Sequence, residues 1–351
     1  MAHKPSICTM SLGRCFAGHS LPHKLDMAAK YGFQGIEVFY EDLVDLAKSL
    51  PGGDTPSNQI TAARTIHDLC AARSLDIICL QPFLHFGGLV NRADQAKQFE
   101  ELRLWFDLVH ALQTDLILFP SSWLPEDKLT DDFDMVAADF ITAAEMGLQQ
   151  TPVVRFAFEG LCWGTRINTW EASWDIVQRV DRTNFGLCID SYNILGKIYA
   201  DPTTESGKTS DCEQATLDSI KRLLSDVDVS KVFLLQVADG ERLSQPLNEK
   251  HPFYNAEQPA RMSWSRNSRL FYGETSYGAY LPSKHLLRTL VQGLGFEGWL
   301  SFEVFNRRLT ETDNAVPEEM AKRAAESWEK MKVDLGLRTS DEVQPRLQAM
   351  L

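Results

Sequence analysis

Short apolar runs alternate along the whole chain with longer segments whose apolar residues recur every three or four positions. SICTM (6–10), GIEVFY (35–40), DIICLQPF (76–83), DLILFPS (115–121), VVRFAFEG (153–160), FGLCIDS (185–191), KVFLLQVAD (231–239) and GWLSFEVF (298–305) have strand length. They are rich in β-branched or aromatic residues and mostly apolar on both faces, as strands covered on both sides must be. Between them lie LPHKLDMAAKYG, SNQITAARTIHDLCAARS, ADQAKQFEELRLWFDLVHAL, DDFDMVAADFITAAEMGL, WEASWDIVQRV, EQATLDSIKRLLSDV, PSKHLLRTLVQGL and PEEMAKRAAESWEKMKVDL, each with an apolar helical face. Strand then helix, repeated eight times, predicts an α/β fold, a single (β/α)8 TIM barrel. A doubly wound open sheet also alternates, but its Gly-rich turn GxGxxG is missing from SLGRCFAGHS after the first strand. Residues 192–212 and 240–280 follow the sixth and seventh strands as long loops expected to roof the catalytic face. The expected organisation is one domain over 1–351, with a barrel core over about 5–335 and a polar, Pro-interrupted tail at 336–351.

Four polar residues interrupt or end the later apolar runs: Glu159, Asp190, Gln236 and Glu303. Strand ends at the C-terminal face of a barrel build its active site, so the fifth to eighth strands would each place one oxygen ligand there. Any one acidic residue at a strand end is as easily an ordinary loop carboxylate; the set of four on consecutive strands is the signal. Gln236 discriminates most, because an amide inside VFLLQVA is costly to bury without a partner. Three carboxylates and an amide, with no Cys or His, favour a hard divalent ion such as Mg2+, Mn2+ or Co2+ over structural zinc. Three carboxylates and one dication leave about −1, which favours a substrate carbonyl or hydroxyl over a phosphate.

Composition narrows the partners. The net charge of −13 opposes a nucleic-acid or anionic-membrane surface, and 44% hydrophobic residues suffice for a large core. Seven cysteines are scattered without CxxC spacing and read as reduced residues of a cytoplasmic protein. No stretch reaches the roughly 18 apolar residues of a membrane span, and MAHKPSICTM lacks a leader pattern. A small-molecule substrate is expected, and a homo-oligomer is compatible with everything here.

The loops add candidates. Arg166 and Asn168 follow Glu159 in EGLCWGTRINTW, Asn193 and Lys197 follow Asp190 in DSYNILGK, and Ser263, Ser265 and Arg266 lie in ARMSWSRN. Taken singly, each arginine is as easily a solvated surface charge; together they suit a carboxylate and several hydroxyls. His85 in LQPFLHFGG is the best-placed imidazole for proton transfer, with His19 second, and Glu37 at the end of IEVFY is a further rim carboxylate.

The strand-end set FEG, CID, LLQVAD and SFEVF, with QPF, DSYNILGK and MSWSRN, resembles the sugar-isomerase-like barrel superfamily of xylose isomerase and endonuclease IV. Within it the chain is most similar to the 3-dehydroshikimate dehydratases of quinate catabolism, from the first strand to about residue 335. The resemblance implies loss of water from 3-dehydroshikimate to give protocatechuate, with Glu159, Asp190, Gln236 and Glu303 as metal ligands. The chemistry of such a substrate then assigns His85 as acid or base with Lys197 or Glu37 as its partner, and Arg166, Asn168, Asn193, Ser263, Ser265 and Arg266 as the groups expected to bind its carboxylate and hydroxyls. Two departures stand out: Asn193 occupies a position where some relatives carry His, and Leu84 and His85 follow QPF where some carry Arg. The alternatives are a metal-dependent sugar isomerase or epimerase, since the same site can run proton transfer through an enediolate, and a non-catalytic ligand-binding barrel. A DNA-repair nuclease is disfavoured by the net charge and the oxygen-only ligands.

Overall fold

The computed structural model describes residues 3–338. Eight parallel strands close into a barrel: β1 (Lys4–Cys8), β2 (Gly35–Phe39), β3 (Asp76–Gln81), β4 (Leu116–Pro120), β5 (Arg155–Glu159), β6 (Phe185–Asp190), β7 (Val232–Val237) and β10 (Trp299–Phe302). Their order around the ring is β1-β10-β7-β6-β5-β4-β3-β2. Between β7 and β10 two short strands, β8 (Asp239–Gly240) and β9 (Arg269–Leu270), form a separate antiparallel ribbon. The (β/α)8 expectation therefore holds, because strands apolar on both faces need a covered ring.

The described residues pack as two compact units, one of 36–189 with 230–234, the other of 3–35, 190–229 and 235–338. In the first, helices Tyr40–Lys48, Pro56–Ala71, Arg92–Leu112, Phe133–Leu148 and Trp170–Val180 follow their strands. Side chains of Thr55, Asn91, Asp132 and Thr169 accept backbone N–H bonds at four of their starts, each such cap contributing about 1 kcal/mol. Aromatic rings fill this unit: Phe119 stacks on Phe156 at 5.2 Å and Phe140 meets Phe158 at 4.8 Å. The register pairs Pro120 with Glu159 and Glu159 with Cys188, fixing where each strand ends.

In the second unit, β1 pairs with β10 and β10 with β7, so that Ser6, Ser301 and Gln236 lie side by side. Residues two apart on a strand share a face, so Glu303, just beyond β10, faces the same side as Gln236. The two long connections are not plain loops. Residues 192–212 lie largely in helix Ser191–Ile198 and a bridged turn, and 240–280 contain β8, helix Ala260–Ser268 and β9. Helix Ser283–Arg288 runs into a π turn at Thr289–Gly293. Arg338 is tied back to His3, whose N–H donates to the Arg338 carbonyl at 2.6 Å; the rest of the tail expected at 336–351 lies outside the described residues. None of the seven cysteines is in a disulfide, six of them are buried, and among the described residues no helix is long and apolar enough to cross a membrane.

Candidate functional site

Asp190 closes β6 and at the same time caps helix Ser191–Ile198, its Oδ1 accepting the Tyr192 N–H at 2.8 Å. Its Oδ2 accepts from Asn193 Nδ2 at 2.8 Å and from Arg269 Nη1 at 2.7 Å. The same Arg269 nitrogen donates to Glu303 Oε2 at 3.1 Å. One oxygen each from Glu159, Asp190 and Glu303 lies within 4.8 Å of the others, and all three residues are buried. Like-charged carboxylates this close need cationic compensation, and the donor set is that of a hard divalent ion. Gln236 is wholly buried in β7, beside Ser301.

No sequence pattern singles out Arg269. It is 1% exposed, with its Nε donating to Ser265 Oγ at 2.9 Å and its guanidinium 4.3 Å over the Tyr192 ring. The ribbon places it there: β9 follows helix Ala260–Ser268, and the Arg269 N–H joins the Phe305 carbonyl at 2.9 Å. Arg266, one turn earlier, is exposed instead and donates to Gln258 Oε1 at 2.8 Å; burial of its stem and the neighbouring Arg14 lower its pKa. The charge balance changes accordingly. Three carboxylates and Arg269 sum to −2, so a dication would bring the centre to zero rather than −1.

The remaining candidates fall in distinct settings. His85 is part-buried in the left-handed backbone region (φ 58°), its Nδ1 2.9 Å from Ser122 Oγ and its ring against Trp123. Burial lowers its pKa below the ordinary value. Glu37 is fully buried and accepts from Gln81 Nε2 at 2.9 Å. Gln81 ends β3 as Gln236 interrupts β7, so the same cue, an amide in an apolar run, could have found it. Arg166 donates to the Glu126 carbonyl at 3.0 Å, and Asn168 to the Gly164 carbonyl at 3.0 Å, so both brace the loop after β5. Ser263 is buried and accepts from Gln258 at 2.7 Å, while Lys197 is half-buried in helix Ser191–Ile198. His19 is bonded to the Glu311 carbonyl at 2.7 Å. Asp239, in β8, accepts from the N–H groups of Gly240 and Leu281 and from Ser283, yet burial pushes its pKa up to about 6.

The family model described as "Xylose isomerase-like TIM barrel" matches residues 25–331. A 3-dehydroshikimate dehydratase of Neurospora crassa is 54% identical over 100% of both chains. A 3-dehydroshikimate dehydratase of Pseudomonas aeruginosa is 31% identical over 86% of this chain, which spans only 38% of that protein. Of solved structures, a xylose isomerase-like TIM barrel/4-hydroxyphenylpyruvate dioxygenase fusion protein superposes with TM-score 0.71 at 25% identity, covering 96% of this chain and 44% of that one. The zinc-binding IOLI protein (TM-score 0.69, 15% identity, 96% and 99% covered) shares the fold. The matched span, the closed barrel and the full-length identity agree: the chain belongs to the xylose isomerase-like TIM barrel family and, within it, to the 3-dehydroshikimate dehydratases.

Proposed function

We propose that this protein removes water from 3-dehydroshikimate to give protocatechuate, as a cytoplasmic step of quinate breakdown. The full-length 54% identity to the Neurospora enzyme carries this reading, and the buried triad of Glu159, Asp190 and Glu303 supports its metal dependence. With Gln236, these residues would hold a divalent ion such as Mg2+, Mn2+ or Co2+. When bound, that ion draws charge from the ring ketone and acidifies the hydrogen beside it.

His85 serves as the proton-transfer group. Its lowered pKa keeps the imidazole neutral at pH 7, and its left-handed backbone is the kind of local strain that collects at functional positions. Ser122 holds Nδ1, which leaves Nε2 for the substrate. Glu37, oriented by Gln81, or Lys197 is its partner: one member of the pair accepts the α-hydrogen and the other delivers a proton to the departing hydroxyl. Arg266 and Ser263 meet the carboxylate, while Arg166 and Asn168 shape the loop over it. Asn193 and Ser265 act through Asp190 and Arg269, because each is already bonded there.

The protein is stripped with chelator, reloaded with Mn2+ and incubated with 3-dehydroshikimate. Growth of the aromatic ultraviolet band only in the loaded sample is the expected outcome. No aromatic product with metal present, alongside turnover of a ketose, would replace this reading by the isomerase one.

A further inference from the structure

We infer that Arg269 is a built-in counter-cation of the carboxylate centre, a positioning residue that fixes Asp190 and Glu303 and through its charge limits how tightly a divalent ion binds. The inference rests on the metal-site reading above and deepens it.

The lone pairs of Asp190 set the problem. A carboxylate oxygen accepts about two hydrogen bonds, and Oδ2 already receives Asn193 at 2.8 Å and Arg269 at 2.7 Å. Oδ1 receives the Tyr192 N–H, at 2.8 Å. An ion approaching Asp190 therefore shares Oδ1 with the helix N-terminus or displaces Arg269 from Oδ2. Arg269 is not easily displaced. Its Nη1 also donates to Glu303 Oε2 at 3.1 Å and to the Glu303 carbonyl at 3.3 Å, its Nε to Ser265, and its flat face lies against Tyr192 and Phe305. Packed on these sides and 1% exposed, the guanidinium stays beside the ligands as a fixed positive charge. It stabilises the crowded carboxylates and repels a dication by the same field.

The test is Mn2+ affinity, read by counting free Mn2+ with electron paramagnetic resonance in the full-length parent, Arg269→Gln and Arg269→Lys. Removing the charge should tighten Mn2+ binding at least about 10-fold in Arg269→Gln, even at the high effective dielectric of proteins. Arg269→Lys, which keeps the charge, should stay within about 3-fold of the parent on the same argument. A purely structural role would move both variants alike. Equal affinities in Gln and Lys, or weaker binding in a folded Gln variant, overturn the inference. Should Arg269→Gln not fold, Ser265→Ala decides: freeing Nε loosens the guanidinium and should tighten Mn2+ by up to about fivefold, and unchanged affinity sinks the idea. A parent that binds no Mn2+ would instead overturn the metal-site reading itself.

Discussion

Asp190→Asn probes the most connected carboxylate with the smallest change of shape. Both oxygens of Asp190 accept hydrogen bonds, one from Tyr192 N–H and the other from Asn193 and Arg269. An asparagine can satisfy only one side. Turned to keep its oxygen toward Arg269 and Asn193, it sets an NH2 against the Tyr192 N–H and loses the helix cap, at about 1 kcal/mol. Turned the other way, it meets two donors. In either orientation the ion pair is gone, and its side chains are 0% and 1% exposed. Breaking a buried pair typically costs about 3–5 kcal/mol, but Arg269 keeps Glu303 Oε2, so a total of about 3 kcal/mol is expected. For a chain of this size that corresponds to a fall in Tm of roughly 5 °C. The melt is run in excess chelator, so that lost metal binding does not add to the difference. At saturating Mn2+, kcat/KM for 3-dehydroshikimate should fall at least about 100-fold. A chelated Tm within about 1 °C of the parent together with parental turnover would refute both the lone-pair argument and the ligand assignment.

His85→Gln should lower kcat by about 10²–10⁴ with little change in KM. Because burial lowers the His85 pKa, the acid limb of the parental kcat/KM profile should fall at a midpoint below the ordinary 6.5; a midpoint above it, or a fully active variant, refutes the assignment. Asp239 has its pKa raised by burial from 3.8 to about 6, so its contribution to stability is complete below 3.8 and lost as pH rises through about 6. The Tm of the parent minus that of Asp239→Asn should therefore decrease between pH 4 and pH 7, and a constant difference would show that the carboxyl is not perturbed. Gly164→Ala would put a Cβ 2.1 Å from the Ile167 carbonyl and 2.6 Å from Ser121 Oγ. It should cost about 1–3 kcal/mol and raise KM by shifting the loop after β5; an unchanged melt would mean that loop yields freely.

The strands were readable because a covered parallel strand leaves little room for polar residues, so each carboxylate or amide at a strand end announces itself. Glu159, Asp190 and Glu303 stood out that way, and so did Gln236. Helix Tyr40–Lys48 was hidden because it starts directly on the last residues of its strand, with Phe39 as N-cap and no turn residue between. Helix Ser191–Ile198 was hidden for a related reason: Asp190 is ligand candidate and helix cap at once, and one residue carries no sign of two duties. Arg269 is harder still to read from the sequence. Arg266 and Arg269 stand three apart in ARMSWSRNSR, and only the change from helix to extended backbone at Ser268–Arg269 turns one outward and the other into the carboxylates. That change is made by pairing with Asp239–Gly240, about thirty residues earlier, which no local pattern encodes.

The ribbon has a consequence for how this enzyme can vary. The excursion between β7 and β10 leaves and returns through one neck, where Gly240 faces Arg269, Tyr280 N–H meets the Gly240 carbonyl, and Asp239 receives Leu281 N–H. Gly240 is held to glycine there, since a Cβ would lie 2.5 Å from the Trp264 ring. Outside that knot, residues 242–258 contain no helix or strand, so a change of length there costs little in loop-closure entropy, while buried Leu247, whose N–H joins the Pro202 carbonyl at 2.7 Å, pins its middle. The candidate metal ligands are thereby carried on or just beyond the ring strands, while changes of length fall in the excursion rather than in the strands that bear them.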